Sequence, residues 1–342
     1  MSDPTPANGT YTGLGQNIDA NSIAQITKFM TEKMDEIIAI EAKTNGMQAD
    51  PAFVRATSTA GVVKLATMET TGLGNYSKVK GYPVGGVNLT WQEYTLSNDR
   101  AISATIDRRD TQVTDGLVTA AAALAETMRT QVVPEIDATR MAKLWYELDA
   151  QSSANSNVAT GAAPTKANIV SKLTTGINAI ADATGIEDGM TIYINSSLRT
   201  VVDTAEGFTW MKDISGGNQS LDTRIREFRG NKIVFVPSTR MYTKIDLNDG
   251  FTGVYPDDSA QTPAGLSSAA YGYAEKSGSK DIWFAITTPG VANAVTAINA
   301  TKVIPAEVNQ KFDGDTYMYR IFHDLIVPKN KCKAAYMSIE GA

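Results

Sequence analysis

The chain has 342 residues, a formal net charge of −6 and one cysteine, Cys332. Hydrophobic residues make up 42% of the chain and charged residues 20%, which is typical of a globular protein and excludes disorder throughout. A single cysteine excludes a disulfide framework within the chain, so a reducing cytoplasm is the expected compartment. The acidic balance argues against sequence-specific nucleic-acid binding, which usually requires a basic surface. It does not exclude proximity to nucleic acid.

The N-terminal residues 1–20 are rich in Gly, Pro, Asn and Thr, which predicts a flexible arm. They carry neither the basic region nor the apolar region of a signal peptide. The sequence holds no run of about 18 apolar residues, so we expect no membrane span.

An amphipathic helix is predicted after the arm, because apolar residues recur at spacings of three and four. Its apolar stripe consists of Ile23, Ile26, Met30, Met34 and Ile37. Asn45-Gly46 should end the helix, with the glycine in a left-handed cap. Two interpretations of the stripe remain open: it packs on its own domain, or it packs on a neighbouring subunit.

Strands are predicted between residues 61 and 109, where apolar and polar residues alternate. The segment between the first two strands holds five glycines and almost nothing to bury. Structureless connections beyond about 12–15 residues are usually functional or disordered. We therefore predict a long hairpin whose tip projects from the body and is ordered by contact with another molecule.

A long helix is predicted from Val113 to Leu148, a length of about 54 Å at 1.5 Å per residue. Pro134 lies inside it, where proline removes a hydrogen bond and should bend the rod. The alternative is that Pro134 ends one helix and begins another at its first position.

The second half of the chain begins with a small-residue linker, residues 149–164. Helices and strands then alternate, which predicts a compact α/β unit over about 165–298. The tail returns to long strands. One of them should place a single set of side chains on one face: Tyr317, Tyr319, Ile321, His323 and Leu325.

The search for catalytic chemistry is negative. His323 is the sole histidine and lies among apolar strand residues, and Cys332 has no suitable histidine partner. One histidine and one cysteine cannot form a usual zinc site, and no phosphate-binding glycine motif occurs. The charged clusters Asp99-Arg100 and 107–110 flank a strand; they form either a solvated face or ion pairs between subunits at the base of the hairpin.

Four stretches of the sequence, taken in chain order, are informative together. They are "TTGLGNYSKVKGYPVGGVNLTWQEYTLSNDRAISATIDRRD", "AAALAETMRTQVVPEIDATRMAKL", "GNKIVFVPSTRMY" and "YMYRIFHDLIVPKNKCKAAYMSI", and they span about residues 60–340. In this order they resemble the major capsid proteins of tailed phages with the HK97 fold.

The resemblance implies an α+β fold with the parts of an HK97-like capsid subunit. It assigns an N-terminal arm with its helix to 1–60 and an extended loop to 61–110. A peripheral domain, with a spine helix and long strands, takes 111–160 and 299–342. An axial α/β domain takes 161–298.

The resemblance also implies which residues touch neighbouring subunits, and it makes Pro134 the bend of the spine helix. The contact residues expected on this basis are Tyr76, Lys78, Lys80, Tyr82, Arg100, Arg108 and Arg109. No catalytic, cofactor-binding or metal-binding residue is implied, and no cofactor is expected.

The implied function is self-assembly through pentamers and hexamers into an icosahedral phage head that encloses double-stranded DNA. Expected partners are other copies, a portal, and a separate scaffolding or decoration protein. DNA would be packaged without sequence-specific binding, no membrane is involved, and assembly would occur in the host cytoplasm. The alternatives are an encapsulin-like cellular nanocompartment shell and, from a different class, a cytoplasmic α/β enzyme using 165–298.

Overall fold

The computed structural model of the protein describes Lys28 and ten further ranges of the chain. These are 32–33, 36–38, 40–47, 54–56, 61–109, 120–150, 157–205, 227–248, 271–310 and 313–341. The predicted arm over residues 1–20 lies outside the described residues, as do Ile23, Ile26, Met30 and Met34 of the predicted stripe.

The described secondary structure is a mixture of helices and antiparallel and parallel strands. The strands are Val54–Ala56 (β1), Val62–Thr70 (β2), Val87–Thr95 (β3), Asn98–Asp107 (β4), Val158–Gly161 (β5), Thr191–Asn195 (β6), Glu227–Phe228 (β7), Asn231–Val236 (β8), Ile245–Leu247 (β9), Tyr273–Glu275 (β10), Ile282–Thr287 (β11), Asn293–Ile304 (β12), Gly314–Ile326 (β13) and Ala335–Glu340 (β14). The α-helices are Ala120–Thr127 (α1), Val133–Ala150 (α2), Ile169–Thr184 (α3) and Arg199–Thr204 (α4). Short 3-10 turns cover Asn45–Met47, Ser196–Leu198, Ser238–Arg240 and Lys329–Ala334.

The predicted hairpin is formed by β2 and β3, which pair antiparallel from Val62 with Thr95 to Thr70 with Val87. β1 adds to the outer edge of β2. β4 leaves this ribbon and pairs with β13 in a second sheet of order β12-β13-β4. We call residues 62–95 the hairpin ribbon.

The second sheet packs on the long helix through one face of β13. That face is the predicted one, and all its members are buried: Tyr317, Tyr319, Ile321, His323 and Leu325. Tyr317, Tyr319 and Ile321 meet Leu124, Met128 and Ile136 of the helix in one hydrophobic cluster. The alternation of the strand therefore grouped these five side chains on one face correctly, and the structure shows that this face is buried.

The chain is helical without interruption from residue 120 to residue 150, so Pro134 does not separate two helices. A π turn, Met128–Val132, lies between α1 and α2, and the Val133 N–H donates to the Met128 carbonyl five residues back. Such a widened turn commonly accompanies a disturbance of the α-helical hydrogen-bond ladder. We call residues 120–150 the long helix; its predicted start at Val113 lies outside the described residues.

A six-stranded mixed sheet of order β5-β14-β11-β6-β8-β7 forms the other main layer. One face of α3 lies against it, with Ile169, Leu173, Ile177 and Ile180 all buried. β14 lies inside this sheet, although the predicted division grouped 299–342 with the long strands of the tail. Its first five residues are all buried, as an interior strand requires, so it differs from a strand with one solvated face.

Two described residues of the predicted N-terminal helix pack on their own chain. Ile37 and Ile38 contact the cluster between the long helix and β13, in agreement with the first of the two open interpretations. The left-handed cap predicted at Gly46 is wrong, because Gly46 is not among the residues with positive φ. In the described part of the chain, no helix is both long and apolar enough to cross a bilayer.

Candidate assembly surface

The hairpin ribbon is anchored at its base and exposed beyond it. Val63, Leu65 and Leu96 are buried with Ile326 of β13 in a small hydrophobic cluster. Further out, every described position of β3 up to Trp91 is exposed. The ribbon therefore leaves the body after about its first third.

One face of the exposed ribbon is apolar. The directly opposed pairs Ala66 with Trp91 and Met68 with Leu89 lie on the same side of the two strands. Met68 is 65% exposed and Leu89 55% exposed, which is unusual for large apolar side chains so close together. The face ends towards the body at an ion pair between Lys64 and Glu93.

The tip of the ribbon, residues 71–86, has local structure of its own. Ser77 and Gly81 exchange backbone hydrogen bonds of 3.1 and 2.7 Å, and Gly81 adopts a φ of +74°. The Ser77 hydroxyl oxygen accepts from the Val79 and Lys80 amides at 3.3 and 3.2 Å. A tight turn therefore presents Lys78, Val79 and Lys80 at the extreme end.

Two aromatic rings flank this turn. The ring centroids of Tyr76 and Tyr82 lie 5.1 Å apart at an interplanar angle of 59°. Both tyrosines are exposed, and Leu73 and Val84 are fully exposed. The tip contains two lysines and no acidic residue, so it is basic on a chain of net charge −6. An apolar face and a basic tip together form a surface suited to another macromolecule.

Arg100, also predicted to contact a neighbouring subunit, lies outside this surface and makes its contacts within the chain. Its Nε and Nη2 donate to the two carboxylate oxygens of Glu135 at 2.6 and 3.1 Å. Nη1 and Nη2 also donate to the carbonyls of Asn248 and Gly272. The side chain is largely buried, and its donors are used within the subunit to join β4 to the long helix.

Arg108 and Arg109 lie far from the hairpin ribbon. They follow β4 at the end remote from the ribbon, about 30 Å along a ten-residue strand. Arg108 lies 3.8 Å from the carboxylate of Asp313, and both arginines are exposed. Of the two charged clusters that flank β4, the cluster at residues 99–100 is therefore the one near the base of the hairpin.

The neighbouring cluster at Asp99 is an internal pair on the sheet surface. Arg320 of β13 donates to both carboxylate oxygens of Asp99, at 2.9 and 2.6 Å. These hydrogen bonds hold the pKa of Asp99 below its usual value. The solvated-face interpretation therefore fits this part of the cluster better than a contact between subunits.

The residues considered for catalysis have the properties of core residues. Burial lowers the pKa of His323 to about 4, with the charge of Arg140 acting in the same direction. Burial raises the pKa of Cys332, whose thiol contacts the carbonyl of Pro328. A reactive cysteine needs the opposite shift. Within the ranges that the structure describes, no three His, Cys, Asp or Glu side chains are grouped to hold a metal ion.

Sequence reasoning missed the apolar face of the ribbon and the buried carboxylate of Asp137. The first was detectable, since reading "VVKLATMET" and "VNLTWQEYT" as paired strands aligns their apolar positions. The second was not, since Asp137 occupies a helix position with no local partner in the sequence. Its partners, described below, lie about 90 to 100 residues away.

Comparison with known proteins relates this architecture to phage capsids. No family model matches the chain, and no curated protein matches it by sequence. A structure from Mycobacterium phage Che8 aligns with a TM-score of 0.54 at 13% identity, covering 88% of this chain and 92% of that one. The capsid structure of the cyanophage P-SCSP1u aligns with a TM-score of 0.54 at 11% identity, covering 86% of both chains.

The mature capsid of bacteriophage PhiM1 gives a similar result, with a TM-score of 0.53 at 13% identity and coverage of 83% of both chains. The chain therefore has the fold of phage capsid proteins, and the resemblance to them inferred from the sequence is confirmed at the level of the fold.

Proposed function

We propose that the protein is the major capsid protein of a tailed phage. In this proposal it self-assembles through pentamers and hexamers into an icosahedral head around double-stranded DNA. Its role is structural and non-catalytic. The fold supports this role, and folds alone do not specify function, so a surface feature must carry the argument.

The hairpin ribbon is the observation that carries the proposal. Its exposed apolar face and fully exposed tip side chains lack a core of their own, and ordering such a segment costs conformational entropy. Contact with another copy would bury the Met68 and Leu89 face and offset that cost. A contact that uses different patches on the two copies is heterologous and closes into rings.

We also propose which residues form the loop, the helix and the two domains of an HK97-like capsid subunit. We assign the extended loop to 61–110, the spine helix to the long helix within 111–160, and the axial domain to 161–298. The peripheral domain would combine 111–160 with 299–342. The position of β14 in the six-stranded sheet moves 335–340 to the axial side of this division.

Of the predicted contact residues, the tip supplies the best candidates. Tyr76, Lys78, Lys80 and Tyr82 are accessible on the ribbon, so we retain them as contacts between subunits. We retain Pro134 as the proposed position of a bend in the long helix, close to the π turn. Arg100 is withdrawn from the set because its guanidinium is occupied by Glu135.

Further partners follow from the proposed role. A shell filled with DNA needs a portal, and a separate scaffolding or decoration protein would assist assembly. The net charge of −6 suits a wall that does not adhere to packaged DNA, since like charges repel. Localisation in the virion, after assembly in the host cytoplasm, completes the proposal.

Electron microscopy of the expressed chain tests the proposal directly. Purified protein should sediment as large particles and appear as closed shells or rings by negative staining. A monodisperse monomer at high concentration would contradict it. The cargo separates the two shell functions: DNA-filled particles in infected cells support a phage head, whereas an enclosed enzyme supports an encapsulin-like compartment.

A further inference from the structure

The carboxylate of Asp137 is fully buried inside the subunit, on the long helix. Each of its oxygens accepts two hydrogen bonds. Oδ1 accepts from the amide and the hydroxyl of Thr44 at 3.1 and 2.6 Å. Oδ2 accepts from the Lys43 amide at 3.1 Å and from Nη1 of Arg240 at 2.9 Å. A buried charge is tolerated only when it is satisfied in this way.

The four donors come from two segments that are remote in sequence. Lys43 and Thr44 precede the hairpin ribbon, whereas Arg240 ends the turn after β8 of the six-stranded sheet. Asp137 therefore joins the N-terminal segment and the sheet to the same point of the long helix. Removing the carboxylate would leave two amides, a hydroxyl and a guanidinium without their acceptor.

Other contacts of the same helix hold residues 41–47 in place. Nη1 of Arg140 donates to the Thr44 hydroxyl oxygen at 3.0 Å, so this hydroxyl links both charged side chains. Nε of Arg129 donates to the carboxylate of Glu41 at 2.6 Å. Burial lowers the pKa of Arg140, and the charge of Asp137 opposes that shift. We call residues 41–47 the latch segment.

The latch segment packs tightly against the hydrophobic core. Met47 is buried in the cluster that contains Leu144 and Tyr193. A Cβ at Gly46 would lie 2.9 Å from the hydroxyl oxygen of Tyr193, closer than side-chain atoms pack. The absence of a side chain at Gly46, rather than a left-handed cap, is what this position requires.

We propose that residues 41–47 are a latch that the Asp137 carboxylate holds closed, and that the closed latch fixes the long helix to the six-stranded sheet. Loss of this one charge would release the segment from the helix while the two sheets remain folded. The latch is a property of the folded subunit, so it does not depend on the shell function proposed above.

Trypsin cleavage after Lys43 measures the opening of the latch, because a protease needs the segment detached from the helix. In Asp137→Asn, the shape is kept but an NH₂ group replaces one acceptor. Cleavage after Lys43 in the full-length protein, followed by mass spectrometry, should become at least about tenfold faster than in the wild type. Asp99→Asn, which removes an exposed carboxylate, is the matched control and should leave the rate unchanged.

Equal cleavage rates in Asp137→Asn and the wild type would overturn the proposal. If Asp137→Asn does not fold, Thr44→Val and Thr44→Ser decide the question. Valine keeps the shape of threonine but loses the hydroxyl, whereas serine keeps the hydroxyl. The latch requires faster cleavage after Lys43 in the valine variant than in the serine variant, and equal rates in this pair would also overturn it.

Discussion

The hairpin ribbon and the surroundings of Asp137 differ in which kind of side chain they expose and which kind they bury. On the ribbon, apolar side chains such as Met68 and Leu89 face solvent. Around Asp137, a charged group is fully buried and fully hydrogen-bonded. Apolar groups outside and charges inside both run against the usual distribution. The comparison shows a chain that satisfies a buried charge at its centre and leaves large apolar side chains exposed on its ribbon.

Removing the tip should have the largest effect on assembly and almost none on folding. The Thr71 amide donates to the Gly86 carbonyl at 3.1 Å, so deleting 72–85 leaves a two-residue connection between paired strands. We expect a folded subunit by circular dichroism that forms few or no shells by electron microscopy. Wild-type shells from this deletion would contradict the assignment of the ribbon.

A matched variant distinguishes the effect of the length of the tip on assembly from the effect of its positive charge. Lys78→Gln combined with Lys80→Gln keeps the length of the turn and removes both positive charges. If charge contributes to the contact, shell formation by this variant should lose its dependence on salt concentration, because screening acts on charges.

The same substitution in the two regions should affect different properties. Leu144 is fully buried, so Leu144→Ala should lower the free energy of unfolding by about 2–5 kcal/mol. Leu89→Ala should change that free energy by less than about 0.5 kcal/mol, as surface substitutions do, but should reduce shell yield. Chemical denaturation and sedimentation measure the two effects. A large loss of stability in Leu89→Ala would mean that the ribbon packs on its own body.

Acid should lower the free energy of unfolding through the buried side chain of His323. Its pKa is about 4 in the folded protein, against an ordinary value of 6.5, so the unfolded chain binds a proton that the folded protein does not. The stability due to neutral His323 is present above pH 6.5 and is lost as the pH falls to about 4. The shift corresponds to about 3 kcal/mol.

Comparison with His323→Gln isolates this contribution from other acid effects. Arg140 and Arg100 disfavour protonation of His323, whereas Asp324 favours it. The difference in unfolding free energy between the wild type and the variant should therefore change between pH 7 and pH 4. A constant difference over this range would show that His323 does not titrate as its burial requires.

Pro134→Ala should have the smallest effect on the isolated subunit and a visible effect on its assembly. Alanine restores the backbone donor and removes the ring, so the helix should straighten at the π turn. We expect shells of altered size or curvature by electron microscopy. Particles of unchanged diameter would contradict the proposed bend at Pro134.

Much of the fold was predictable because its signals are local. The sequence predicted one long helix through Pro134, and alternation grouped the side chains that share one face of β13. The gap between two strand patterns, rich in glycine, predicted the hairpin. The tip residues of the candidate surface, Tyr76 to Tyr82, were predictable for the same reason, since an exposed turn has few distant partners.

The sequence did not predict which side chains and strands lie next to each other when they are distant along the chain. Arg100 pairs with Glu135 of the long helix, and β14, which the sequence-based division grouped with the other strands of the tail, lies in the six-stranded sheet. A charge cluster in the sequence does not show which carboxylate lies opposite it. A short strand pattern likewise does not show which edge it joins.

The sequence by itself determined the long helix, the hairpin and its exposed tip, because helix and strand patterns act over a few residues. It did not determine β5, which lies within the predicted linker 149–164 and pairs with β14. Only the tertiary structure decided that Asp137 binds Thr44 and Arg240, and that Gly46 faces Tyr193. Those contacts depend on three-dimensional proximity between groups separated by about 90 to 150 residues. The energy of a buried charge is set by such neighbours rather than by its position along the chain.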